Sequence, residues 1–127
     1  MRFLGIDFGT KKVGLALSDE EGRVAFPLVT LGAGSNLVPT VANLVKEKHV
    51  HAVVLGESKD FKGRDNPVMQ KAHIFKGELE AATDVPVYFE TETFTSQEAK
   101  RIQGDVAELD ASAAAIILQS YLDKQHG

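Results

Sequence analysis

The chain has 127 residues, 43% of them hydrophobic and 25% charged, with no cysteine, which fits one domain with a sizeable core and excludes disulfides and thiolate metal sites. Its formal net charge of -4 argues against strong non-specific nucleic-acid binding, which rests on neutralising phosphates, but allows a local basic patch beside an acidic metal site. No run approaches the ~20 apolar residues of a membrane span and the N-terminus carries no signal-peptide pattern, so a cytoplasmic location is expected.

The first ten residues organise the rest. Arg2 to Phe8 predicts a strand whose alternation puts Phe3, Gly5 and Asp7 on one face and Leu4, Ile6 and Phe8 on the other. Apolar residues on both faces predict a central strand covered on both sides. A carboxylate such as Asp7 is costly there unless a cation or hydrogen-bond donors meet it. A metal ion would satisfy it; the structural alternative is a cap on the turn at Gly9 and Thr10. Lys12 to Ser18 reads as a second strand and Arg23 to Leu31 as a third, joined by the turn Asp19–Gly22, in which Gly22 can supply a positive φ. Three strands with short turns make an antiparallel meander.

A helix follows from Leu37 to Lys48, with Leu37, Val41, Leu44 and Val45 as its apolar stripe and Pro39 tolerated in its first turn. Val50 to Gly56 contains the unbroken run Ala52–Leu55, the pattern of a buried parallel strand. The loop from Gly56 to Asp65 is long for a compact domain. Asn66 and Pro67 predict a helix start, with Val68, Ala72, Phe75, Leu79 and Ala82 inward. Val85 to Phe89 is a fifth strand. Thr95 to Glu98 fits a capping box opening a short helix that ends near Gly104. Asp105 to Leu109 reads as a linker, and Asp110 to Lys124 as the last helix, with Ala114, Ile117, Leu118 and Tyr121 on one face. The order is the α/β arrangement of the ribonuclease H-like fold: one five-stranded mixed sheet flanked by helices, in a single domain over residues 1–127.

Three acids from separate elements stand out: Asp7, Glu92 after the fifth strand, and Asp110 at the start of the last helix. Converging on one sheet edge, they would make a hard oxygen site suited to Mg²⁺ or Mn²⁺, the kind that hydrolyses phosphodiesters with two ions. Each also has an ordinary explanation. Glu92 can be a solvated loop residue, and Asp110 a helix N-cap. Among the cations, Lys11, Lys12 and Lys59 are candidate phosphate contacts. His49, His51, His73 and His126 show no metal-ligand spacing, and His49 and His51 read as surface or packing residues.

Four blocks in order resemble the YqgF/RuvX family of Holliday-junction-resolvase-like and pre-ribosomal RNA nucleases. They are Leu4-Gly-Ile-Asp-Phe-Gly-Thr-Lys-Lys-Val-Gly14, the stretch from Val53 to Gly63, Glu92-Thr-Phe-Thr-Ser-Gln-Glu-Ala99, and Leu109-Asp-Ala-Ser-Ala-Ala-Ala-Ile-Ile-Leu-Gln119. The resemblance implies a ribonuclease H-like fold and a metal-dependent endonuclease that processes the 5′ end of pre-16S rRNA, with branched DNA as a further substrate. It carries the family's acids onto Asp7, Glu92 and Asp110, and it leaves monomer and homodimer open. Where the family usually reads Asp-Glu-Arg, this chain has Thr91-Glu92-Thr93. That departure keeps open a catalytically silent RNA-binding, ribosome-assembly module. A third reading, a nucleotide-binding or phosphotransfer domain of the actin-like type, comes from the phosphate-loop look of Asp7-Phe-Gly-Thr10.

Overall fold

The computed structural model describes residues 1–9, 11–57, 67–91 and 106–126. They form strands β1 (Phe3–Asp7), β2 (Lys12–Ser18), β3 (Ala25–Gly32), β4 (Ala52–Glu57) and β5 (Val87–Thr91), and helices α1 (Leu37–Glu47), α2 (Pro67–Thr83) and α3 (Val106–His126). The sheet order is β3-β2-β1-β4-β5. β1 is therefore central, antiparallel to β2 and parallel to β4, while β5 extends β4 in parallel as an edge strand. This is the five-stranded mixed sheet that the sequence predicts.

The alternation of β1 divides the core. Leu4 and Ile6 face a cluster built with Val41 and Val45 of α1 and Ala72, Phe75 and Leu79 of α2. Phe8 joins this side, its ring 5.3 Å from Phe75. On the opposite face, Ala16, Val54, Ala114, Ile117, Leu118 and Leu122 form a second cluster, against which Phe3 packs. Gly5 lies in the same row as Ala16 and Val54. It is a close-approach glycine: a Cβ there would sit 2.6 Å from Leu118 Cβ and 3.0 Å from the Ala114 carbonyl.

The element ends differ from the sequence expectation where specific hydrogen bonds intervene. β3 starts at Ala25, not Arg23, because Asp19 Oδ1 accepts the N–H groups of Arg23 (2.8 Å) and Val24 (3.2 Å) and keeps them in the turn. These bonds also hold the Asp19 carboxyl below its ordinary pKa. Gly22 takes φ +70° in that turn, as expected. β4 starts at Ala52 because the N–H of Val50 closes α1 by bonding the Val45 carbonyl. β5 starts at Val87 because Pro86 has no N–H to give; Glu80 Oε2 accepts the Val87 N–H at 3.3 Å while Lys76 Nζ holds Oε1 at 3.1 Å.

On α2, Ala72, Phe75 and Leu79 are buried, but Ala82 is exposed. A 3.6-residue period brings position 83 inward instead, and the Thr83 hydroxyl there donates to the Leu79 carbonyl. The largest revision concerns α3. It begins at Val106, so 106–109 is helix, not linker. Ala107, Glu108 and Leu109 are strong helix formers with no breaker among them. Asp110 is therefore in the second turn and is not an N-cap. The short helix expected after Thr95 lies outside the described residues.

Candidate active site

Asp7 is the last residue of β1, half-buried, opposite Gly14 of β2. Alternation puts it on the α3 side of the sheet, two residues beyond Gly5. The β1–β4 register continues from Ile6 opposite Leu55, so the C-terminal ends of two parallel strands meet beside it. Glu57 closes β4 one residue further on and pairs in register with Thr91 of β5. The sequence reading passed over Glu57 as part of a loop; the apolar run ahead of it, extended by one pair, is the signal that would have placed it on the strand.

Asp110 belongs to α3, one helical turn before Ala114. α3 runs antiparallel to β1: Tyr121 meets Phe3 with ring centroids 5.7 Å apart, and Leu118 and Ala114 meet Gly5. Glu92 and Lys59 lie outside the described residues, as does the side chain of Asp110. Among the described residues no three acidic or histidine side chains are grouped to hold an ion.

Lys11 and Lys12 are both exposed. The Lys11 carbonyl accepts the Ala33 N–H at 2.9 Å, tying the β1–β2 turn to the end of β3. Lys12 opens β2 opposite Gly32 and, two residues from Gly14, shares the Asp7 face by alternation. His49, His51 and His73 are exposed, as the sequence reading expects for the first two.

One buried carboxylate escaped the sequence reading. Glu90 of β5 is 5% exposed. Its Oε2 accepts the Ser120 hydroxyl at 3.0 Å and Lys124 Nζ at 2.6 Å, both from α3. The i, i+4 spacing of Ser120 and Lys124 puts both donors on one helix face, but nothing local to Glu90 announces them.

Comparison with known proteins gives the family and the fold. The family described as "RuvX: Holliday junction resolvase" matches residues 1–124. A Syntrophus aciditrophicus protein named "Putative pre-16S rRNA nuclease" is 38% identical, covering 97% of this chain and 89% of its own length. The Bacillus subtilis protein of the same name is 35% identical, covering 97% and 98%. Among solved structures, Thermus thermophilus RuvC in complex with a Holliday junction substrate matches with a TM-score of 0.64 at 20% identity, covering 100% of this chain and 96% of that one. Fowlpox virus resolvase with Holliday junction DNA matches at 0.62 and 14% identity, covering 100% of both. At these identities the structural likeness establishes the fold, which is ribonuclease H-like. With the central strand, its terminal aspartate and the covering helix arranged as described, and a family match running through almost the whole chain, this protein belongs to the RuvX family of nucleases.

Proposed function

We propose that the protein is a divalent-metal-dependent endonuclease for structured nucleic acid, acting on the 5′ end of pre-16S rRNA, with branched DNA as the alternative substrate. The observation that carries the reading is the position of Asp7, half-buried at the C-terminal end of the central strand on the face that α3 covers. Its relatives are named for pre-16S rRNA, which favours RNA.

The donor chemistry fits a hard cation. Asp7, Glu92 and Asp110 offer only carboxylate oxygens, the ligands Mg²⁺ and Mn²⁺ prefer. The pairing of Tyr121 with Phe3, then of Leu118 and Ala114 with Gly5, supports Asp110 as Asp7's partner. Two further strand residues advance about 6.6 Å, which is about four residues of helix. The end of β1 then falls near the turn of α3 that contains Asp110. When bound, a pair of such ions activates a water and stabilises the leaving oxygen of a phosphodiester. Asp7, Glu92 and Asp110 hold those ions, and Lys11, Lys12 and Lys59 contact backbone phosphates and fix the substrate's register.

The test is cleavage of precursor 16S rRNA and of a four-way DNA junction in Mg²⁺, Mn²⁺ or EDTA. Asp7→Asn should abolish cleavage while circular dichroism stays as in wild type and the melting temperature is unchanged or higher. Cleavage that persists in EDTA, or survives Asp7→Asn, would sink the proposal.

A further inference from the structure

We infer that Tyr88 and Tyr121 form a stacking platform for an unpaired base of the nucleic-acid substrate; this rests on the nuclease reading above. Gly5, Val54 and Tyr88 lie in one row across β1, β4 and β5. Gly5 meets Leu118, and Val54 is buried in the cluster under α3, so Tyr88 faces the same side of the sheet. Asp7 is two residues along β1 on that face. Two strand spacings and two residues of rise separate Tyr88 from Asp7 by about 12 Å between backbones. A base stacked at Tyr88 is thus a neighbour of the scissile nucleotide and not that nucleotide itself.

α3 lies chiefly over β2, β3 and β1, and its Ser120, Tyr121 and Lys124 engage β5. Tyr88 is left 46% exposed. Its ring is nonetheless held in a fixed plane. The Tyr121 ring stacks on it at 6.1 Å with an interplanar angle of 13°, and Phe3 supports Tyr121 edge-on. Beneath the pair, the bonds from Ser120 and Lys124 to Glu90 pin this part of α3 to β5.

Such an arrangement suits a nucleobase. Aromatic faces bind unstacked bases, and do so without regard to sequence because every base offers a π-face. The Lys124 ammonium beside the pair is engaged by the Glu90 carboxylate, so the platform offers stacking and not added charge. The selected property is an unpaired nucleotide at a set distance from the cut, which a junction or a precursor end presents and a continuous duplex does not.

The chain has two tyrosines and no tryptophan, so emission excited in the phenol band, beyond phenylalanine absorption, comes from this pair alone. Asp7→Asn protein, which leaves the oligonucleotide uncut, is titrated with a single-stranded RNA and with an abasic strand of equal length, correcting for absorbance. The base-bearing strand should quench the emission and the abasic strand should not. Tyr88→Phe should bind like wild type. Tyr88→Leu, which keeps apolar bulk without a π-face, should weaken binding about tenfold and raise KM in the cleavage assay. Equal quenching by both strands overturns the inference. So does a Tyr88→Leu protein that cleaves with wild-type KM, and in that case the nuclease reading stands. A wild-type protein that neither binds nor cuts any nucleic acid overturns both.

Discussion

His49 ends α1 in the left-handed region, at φ 54°. The Val50 N–H bonds the Val45 carbonyl at 2.9 Å and the His49 N–H bonds Lys46 at 3.3 Å, the two hydrogen bonds of a Schellman motif. Buried Val50 and Val45 supply its apolar contact. Glycine is the usual residue at the left-handed position, where a Cβ costs about 1 kcal/mol or more. His49→Gly should therefore stabilise the protein by about 1 kcal/mol, read as a higher urea midpoint at unchanged slope. A lower midpoint would mean that the exposed imidazole contributes more than its backbone strain costs. Tyr121 carries a different signature. Burial first, then the charges of Tyr88 and Glu90, raise its phenol above the ordinary value of 10.0. The unfolded chain then releases this proton before the folded one does. The associated stability is intact below pH 10 and falls as pH rises from there through the folded pKa. An absorbance titration of the phenols should show an ionisation above 10 that Tyr121→Phe removes.

Between elements, the contact that positions the candidate site is β1 against α3. With no side chain at Gly5, the helix approaches until a Cβ would strike Leu118 Cβ and the Ala114 carbonyl. Gly5→Ala must push α3 outward, at the ~1–3 kcal/mol typical of an overfilled core. If Asp110 works with Asp7, the displaced helix also carries one acid away from the other. Cleavage should then fall by more than the lost folded fraction explains. Adding Leu118→Ala should not recover the melting temperature, because alanine keeps the Cβ that the new methyl strikes, and a double-mutant cycle measures the coupling. Full activity in a destabilised Gly5→Ala protein would show that the helix position is not critical. The sequence made the two faces of β1 readable, because alternation is local. It hid the start of α3, because Asp110 is a good cap residue and Val106–Leu109 holds too few residues to show a period.

For the whole molecule, the sheet order was largely legible. Short turns fix the meander, and the unbroken apolar run of β4 marks a parallel strand buried between neighbours. The fifth strand, which no local signal assigns to a place in the sheet, lies at its edge. Burial of Glu90 was not legible, since its partners Ser120 and Lys124 are thirty or more residues away. Nor was the tyrosine pair, whose members come from β5 and α3. Asp7 could be singled out early because a charge in a two-sided apolar strand is anomalous by itself. Its proposed partners Glu92 and Asp110 could be named as acids on separate elements, but local pattern does not encode whether they converge on it.

The packing of Gly5 under Leu118 joins the first strand to the last helix, across more than a hundred residues of chain. During synthesis, residues 1–32 can pair as a meander as soon as they emerge. One edge of β1 then waits for β4, and its Gly5 face waits for α3. Until the final helix docks, the strand bearing Asp7 lacks the cover that fixes its surroundings. The end of β1 is thus among the first parts made and among the last to be covered, so a partly made chain carries Asp7 without the helix that packs beside its strand.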